Sequence, residues 1–274
     1  MQNSHSTAIK AYNIINSTYR WAILHKILFE NPCATVHDSI VAKMKKKEAK
    51  KRYYGQVSVL SKREVEILKK EALKTDDEGN YLYNGLGLMT IFTLEVGIRG
   101  GETCALRWKD YHSDTKSMDI SRSRSVAKNR PDGGSHYLPF DDVLKNYKRR
   151  ELLLSDEAVD VIEKAKRTRG KVMPDDYIFI NSNGNPYNSS TFSKRINTIY
   201  SNCGFSDSYI TGTHILRRTF ATNKYEEGAD VESIAAYIGD SVQTVNEKYI
   251  NHCNTVLVEG RVKNLVPLPN NKRK

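Results

Sequence analysis

Long apolar stretches are missing from this chain: no run approaches the ~18 residues that a membrane-spanning helix needs. The polar start Met1-Gln2-Asn3-Ser4-His5 does not have the pattern of a secretory signal. Neither membrane insertion nor export is expected. Cysteine is scarce as well. Cys33, Cys104, Cys203 and Cys253 lie far apart with no paired spacing, which argues against a disulfide framework or a zinc cluster and points to a reduced cytoplasm. His252 beside Cys253 gives two ligands without partners, a poor metal site, so neither metal nor cofactor is expected. Acidic residues are in deficit: 32 Asp and Glu stand against 43 Lys and Arg in 274 residues, a formal charge of +11. Such a balance suits a polyanionic partner without identifying one. Internal repeats are absent too. What remains, 39% hydrophobic residues and a mean hydropathy of −0.59, is the composition of a soluble globule of one large or two small domains.

Periodicity divides the chain. Residues 7–30 read as one amphipathic helix, with Ile9, Tyr12, Ile15, Tyr19, Ala22, Ile23 and Ile27 near the helical repeat and Asn31-Pro32-Cys33 as its stop. One helix cannot bury itself. Residues 43–52 follow as a basic run containing Lys43, Lys45, Lys46, Lys47, Lys50, Lys51 and Arg52 against the single acid Glu48. A solvated connector is one reading of it; a strap along DNA phosphates is the other. Ser61 with Glu64 forms a capping box that opens a helix, and Leu86–Leu94 is an apolar helical segment leading to Gly97-Ile98-Arg99. Residues 102–108 are predicted to continue as helix, with Leu106 and Trp108 inside. Met118–Ser121 and His136–Phe140 alternate like two strands of a small antiparallel sheet, joined by a basic turn that contains Lys128. Residues 155–167 and 190–201 are helical by period, the second turning Phe192, Ile196 and Ile199 or Tyr200 inward.

The densest chemistry lies between Gly212 and Tyr249. Thr213 can cap a helix whose first turn holds His214, and spacings of three and four bring Arg217 and Arg218 towards the same face. A helix N-terminus already favours an anion, and a guanidinium fork matches phosphate oxygens. Gly228 closes this helix, Asp230 can cap the next over Val231–Ile238, and Gly239 ends it. Ser241 can cap a third that carries Tyr249 back towards the site. Taken singly, each residue has a plain alternative: His214 as a capping histidine, Arg217 and Arg218 as a solvated face, Tyr249 as one of 16 tyrosines.

His214-x-Leu216-Arg217, the Gly239-Asp240-Ser241 turn and Tyr249 together resemble the tyrosine recombinase (phage integrase) family. Thr93 to Asp110, with Arg99 and Glu102, resembles that family's first-arginine box, and both boxes stand in the expected order. The resemblance implies a mainly α fold with a small antiparallel β-sheet (α+β), the catalytic-domain fold of these recombinases. It divides the chain into the end of a core-binding domain (1–42), a basic linker (43–58) and a catalytic domain with a C-terminal tail (59–274). The earlier helices of a core-binding domain are not in this sequence, so a fragment or truncated gene product, with weak DNA affinity on its own, is expected.

The resemblance further implies site-specific recombination of double-stranded DNA through a 3'-phosphotyrosyl intermediate, without metal or ATP, by a homo-tetramer with an accessory directionality factor. Arg99 and Arg217 are expected to hold the scissile phosphate, Tyr249 to attack it, Lys128 to protonate the 5' leaving oxygen and His214 to assist proton transfer. Glu102 is expected to orient an active-site partner. Asp240 departs from the pattern, which has His or sometimes Trp there as a phosphate donor. An ionised Asp cannot donate, so it is expected to cap the helix at Ser241 or to pair with Arg217 or Arg218, with activity retained. A weakened, non-cutting DNA-binding protein and a type IB topoisomerase-like activity are the alternatives. Past Tyr249, the apolar runs Val256–Val258 and Val266–Leu268 suit a tail docked on a neighbouring subunit or folded back in cis.

Overall fold

The computed structural model of the chain describes residues 5–33, 59–129, 136–143, 149–205 and 210–250. The basic run 43–52 and the tail after Ile250 lie outside the described residues. Two compact units divide between Gln56 and Val57.

In the first unit, helix α1 spans His5–Leu24. It stops short of the expected residue 30. Lys26 adopts a left-handed φ of 57°, and the Lys26 and Ile27 amides bond back to the carbonyls of Ile23 (2.9 Å) and Ala22 (2.8 Å). That is a Schellman closure made without glycine. The chain beyond it turns back on the helix, where Tyr12 donates to the Cys33 carbonyl at 3.0 Å and Asn31 to Asn16 at 2.8 Å. Ala22 is buried, whereas Ile15 and Ile27 of the predicted stripe are exposed.

The second unit is built around α3 (Gly85–Val96), which buries Leu86, Leu88, Met89, Ile91, Phe92, Leu94 and Val96 and is therefore apolar on all sides. Ahead of it, α2 (Lys62–Ala72) starts at the expected Ser61–Glu64 capping box. Gly97 ends α3 at φ 67°, and a Cβ there would stand 2.2 Å from Phe220 Cδ1, so glycine is required twice over. Behind this turn α4 covers only Gly100–Cys104. The predicted helix through residue 108 does not form, because the next backbone groups pair elsewhere. Ile178 N–H donates to Leu106 O at 3.0 Å, and Trp108 N–H to Asp176 O at 3.0 Å. Leu106 and Trp108 are nonetheless buried.

The described strands form two small antiparallel sheets. In the first, β2 (Ser117–Ile120) lies between β1 (Tyr111–His112) and β5 (Arg150–Leu153); in the second, β3 (Arg122–Asn129) pairs with β4 (His136–Val143). This corrects the expected pairing of Met118–Ser121 with His136–Phe140. The arginine-rich stretch is itself a strand. Its alternate side chains Arg122 and Arg124 reach Asp110 (2.5 Å) and Asp141 (2.6 Å), a period of two that favours a strand in a polar sequence. Lys128 accordingly stands on β3, in register with Tyr137, rather than in a turn.

Helices α5 (Asp156–Arg169), α6 (Ser189–Asn202) and α7 (His214–Glu226) pack on α3 or around it, with Phe192, Ile196, Ile199 and Tyr200 of α6 buried as their spacing predicts. Next come α8 (Val231–Ile238), α9 (Val242–Val245) and a π-helical turn over Asn246–Ile250. Asp230 and Ser241 cap α8 and α9 through the Ser233 and Thr244 amides. Phe220, Ile234, Ile238, Val245, Tyr249 and Ile250 make a second, smaller core. Among the described residues no helix is long and apolar enough to cross a membrane.

Candidate active site

Arg217 lies at the centre of the site. Leucine-like burial is rare for arginine unless every donor is used, and here the residue is 1% exposed with four partners. Its Nη1 donates to the carbonyls of Gly97 (2.9 Å) and Ile238 (2.8 Å), Nη2 to Asp240 Oδ2 (2.9 Å), and Nε to Tyr249 Oη (3.3 Å). The two carbonyls belong to the ends of α3 and α8, whose negative dipole ends suit a cation. Arg218, one residue on and on another face, makes none of these contacts.

Arg99 arrives from the turn behind Gly97. Its amide and Nη1 bond Glu102 at 3.0 and 3.2 Å, Nη1 also donates to Gly239 O at 2.8 Å, and Nη2 stands 3.3 Å from Asp240 Oδ2. Asp240 therefore receives one guanidinium from each arginine box. It also accepts from the Tyr249 hydroxyl at 3.3 Å and, through Oδ1, from the Ser241 amide at 3.2 Å. Of the expected roles, the pairing is present, with Arg217 and not Arg218 as the partner; the helix cap itself is Ser241, whose amide Asp240 accepts. Burial pushes its carboxyl up, but the hydrogen bond and charge of Arg217 and the charge of Arg99 outweigh this and hold it below the ordinary value.

Tyr249 combines two readings that its sequence position left open. Its ring is buried in the second core and its carbonyl accepts from Thr222 at 3.1 Å, while its hydroxyl points into the arginine cluster. The π-helical turn positions it, since α9 alone ends at Val245. His214 opens α7 at the surface. Partial burial, then the charges of Arg218, Arg217, Arg99 and Lys248, hold its pKa below the ordinary 6.5, so the ring is neutral at pH 7. Thr213 precedes it but does not cap. Its ψ of −17° is already helical, and its hydroxyl makes no cap hydrogen bond.

Glu102 bonds two arginines of the cluster. Besides Arg99, it accepts from Arg150 Nη2 at 2.8 Å, and Arg150 also donates to Tyr237 O (2.9 Å) and Ile238 O (2.9 Å). Nothing in the sequence singled out Arg150. It follows Lys148 and Arg149 in a basic triplet, 48 residues from Glu102, and only the pairing of β5 with β2 brings it to the site. Three guanidinium groups against two carboxylates leave this cluster cationic. Lys128 is placed by its backbone alone, and Lys43, Lys45, Lys46, Lys47, Lys50, Lys51 and Arg52 lie outside the described residues. Among the described residues no group of His, Cys, Asp and Glu could hold a metal ion.

Chemically, the cluster can hold an anionic oxygen: one carboxylate oxygen lies between two guanidinium groups with a hydroxyl at its edge. Residues 58–255 match the phage integrase family. The chain belongs to that family. It is 23% identical over 92% of its length to a tyrosine recombinase XerC-like protein of Caldanaerobacter subterraneus subsp. tengcongensis, and 22% identical over 91% to the integrase of Mycobacterium phage L5. It spans 63% and 60% of the lengths of these two relatives. Tyrosine recombinase XerC of Anoxybacillus flavithermus is 27% identical over 90% of this chain and 71% of its own. In fold the chain resembles the Tn1549 transposon integrase solved with circular intermediate DNA, at a TM-score of 0.69, 14% identity, 94% of this chain and 80% of the other. XerA recombinase gives a TM-score of 0.54 at 20% identity, over 74% and 63% of the two chains. The fold is that of a tyrosine recombinase catalytic domain, mainly α with small antiparallel sheets.

Proposed function

We propose that the protein is a site-specific DNA recombinase that cuts and rejoins double-stranded DNA through a 3'-phosphotyrosyl intermediate. The observation that carries this reading is the meeting of Arg217, Arg99 and the Tyr249 hydroxyl around a single anionic oxygen. In the reaction a non-bridging phosphate oxygen takes over the two Nη2 donors that Asp240 Oδ2 engages in the free chain. The two arginines then stabilise charge developing at phosphorus, so that no metal is needed for that role. Tyr249 attacks, and the covalent link conserves the phosphodiester energy, which makes ATP unnecessary for rejoining. Lys128 protonates the 5' oxygen. In favour of this assignment, Arg122 and Arg124, the other described cations of its strand, are engaged by Asp110 and Asp141. His214, neutral at pH 7, donates to the phosphate. Glu102 and Arg150 position Arg99.

In this reading residues 1–42 end a core-binding domain, 43–58 form a basic strap on DNA and 59–274 carry catalysis. The unit boundary after Gln56 and the family match from residue 58 support a break near residue 58. The working assembly is a homo-tetramer on two duplexes with an accessory directionality factor. Relatives solved with DNA, the Tn1549 integrase and XerH, favour DNA as the partner. One observation favours a second reading, a DNA-binding protein that does not cut: Asp240 places a negative charge where the phosphate must sit. A nicked suicide duplex built from the sequence flanking the gene separates the two. Cleavage gives a covalent protein–DNA adduct on a denaturing gel that Tyr249→Phe abolishes; specific binding with no adduct selects the second reading.

A further inference from the structure

Each arginine in the site divides its donors in the same way. Arg217 Nη1 is fixed on Gly97 O and Ile238 O, and Arg99 Nη1 on Gly239 O and Glu102; only the two Nη2 atoms face Asp240. The backbone contacts can persist while Nη2 changes partner. When a phosphate oxygen takes both Nη2 atoms, Asp240 loses its cationic partners, gains an anionic neighbour and keeps the Tyr249 hydroxyl. Carboxylate basicity rises under those conditions. On its other side Tyr249 Oη accepts from Arg217 Nε at 3.3 Å, so a donor and an acceptor flank the hydroxyl and define the direction in which its proton leaves.

We propose that Asp240 is the proton acceptor for the attacking tyrosine, made basic by the arrival of the phosphate that displaces it from Arg99 and Arg217. This rests on the cleavage reading above. In the step, the Tyr249 O–H bond breaks and its proton passes to Asp240 Oδ2 while the phenolic oxygen bonds phosphorus. The P–O5' bond breaks, its electron pair stays on the 5' oxygen, and that oxygen takes a proton from Lys128. Rejoining runs the same transfers backwards, with Asp240 returning the proton to Tyr249. Among the described residues the charged and titratable groups in contact with Asp240 are Arg217 from α7, Arg99 from the turn before α4, and Tyr249 from the π-helical turn. Glu102 and Arg150 stand one contact further out. Because His214 begins its helix at the surface and makes no contact with Tyr249, the carboxylate is the acceptor that touches the reacting oxygen.

The test uses the full chain on the nicked suicide duplex and follows adduct formation against pH. Asp240→Asn preserves shape and should slow the adduct by about 100-fold at pH 7, with the acidic limb of the rate profile flattened. Duplex binding, measured in parallel, should be no weaker, since a negative charge facing the phosphate is removed, and Asp240→Glu should recover part of the rate. A 5'-bridging phosphorothiolate duplex, whose leaving group needs no acid, should rescue Lys128→Ala but not Asp240→Asn. An Asp240→Asn rate within about threefold of the unaltered chain, or above it, overturns the proposal and leaves Asp240 as an occupant of the arginine pair. Absence of adduct from the unaltered chain itself overturns the cleavage reading, and this proposal with it.

Discussion

Replacing Arg217 by alanine should damage the fold before it damages chemistry. The side chain is 1% exposed and makes three hydrogen bonds of 2.8–2.9 Å, two to carbonyls and one to a carboxylate. Truncation removes the Gly97 carbonyl's side-chain donor, leaves Ile238 O to Arg150 and leaves the half-exposed Arg99 as the remaining cation on Asp240. Breaking one side of a buried pair costs about 3–5 kcal/mol, a large part of the ~5–15 kcal/mol that holds a domain together. The cost has a pH signature. Because the folded Asp240 pKa is depressed, its contribution is present above the ordinary carboxyl range near ~4 and is lost as pH falls through the folded value. The deficit of Arg217→Ala should therefore narrow in acid. Urea unfolding followed by the fluorescence of Trp108, buried in the same unit, measures it, with exposed Trp21 replaced by phenylalanine to silence the other unit. Adding Asp240→Asn to Arg217→Ala should recover about 1–2 kcal/mol, since the stranded charge is then gone. A loss below about 1 kcal/mol for Arg217→Ala at neutral pH would refute the account, because no buried pair is that weak to truncation.

Other consequences can be checked in the same way. Gly97→Ala imposes alanine at φ 67° and drives its Cβ into the Phe220 ring, so thermal unfolding should show about 2–4 kcal/mol lost. By NMR the His214 imidazole should titrate below 6.5 in the folded chain. Its folded pKa lies under its unfolded one, so stability falls as pH drops below that value, and His214→Gln should remove this part of the slope. Arg150→Ala leaves the buried Glu102 with Arg99 as its one remaining cation and should cost about 3 kcal/mol in denaturant unfolding, with Glu102→Gln in the same chain restoring part of it. The Cys104 thiol, pushed well up by burial, should stay unreactive to a thiol reagent at pH 8 until the chain unfolds.

Local signals in the sequence were strong wherever a cap or a glycine had a mechanism. Ser61 with Glu64, Ser155, Asp230 and Ser241 all start the helices their positions imply, and Gly97 and Gly239 end theirs in the left-handed conformation. The buried face of α6 followed from spacing alone. Where the reading failed, a distant partner decided. Lys26 closes α1 in a conformation that glycine usually signals, and α4 yields its last turn to pairing with the chain around residue 178. Strand β3 reads as a basic turn until Asp110 and Asp141 are known to lie opposite its arginines. The candidate site was legible in Arg99, Glu102, His214, Arg217, Asp240 and Tyr249 because two motifs carry them. Arg150 was not, since a basic triplet at the start of a short strand has no local feature that names its partner.

The peptide from Ile238 to Asp240 is where the two arginine boxes converge. Arg217 and Arg150 share the carbonyl of Ile238, Arg99 holds that of Gly239, and Asp240 receives the remaining arms of Arg99 and Arg217. Three cations contributed by three separate elements thus pivot on three consecutive residues at the α8–α9 junction. A shift of this fulcrum by a fraction of an ångström moves them together, so the site gains or loses its alignment as one body. Substitutions within it should accordingly fail to add: once one arm is released, releasing a second does little further harm. Natural variation at the position after Gly239 then acts on the whole cluster, and its tolerance depends on which arms the neighbouring arginines still have free.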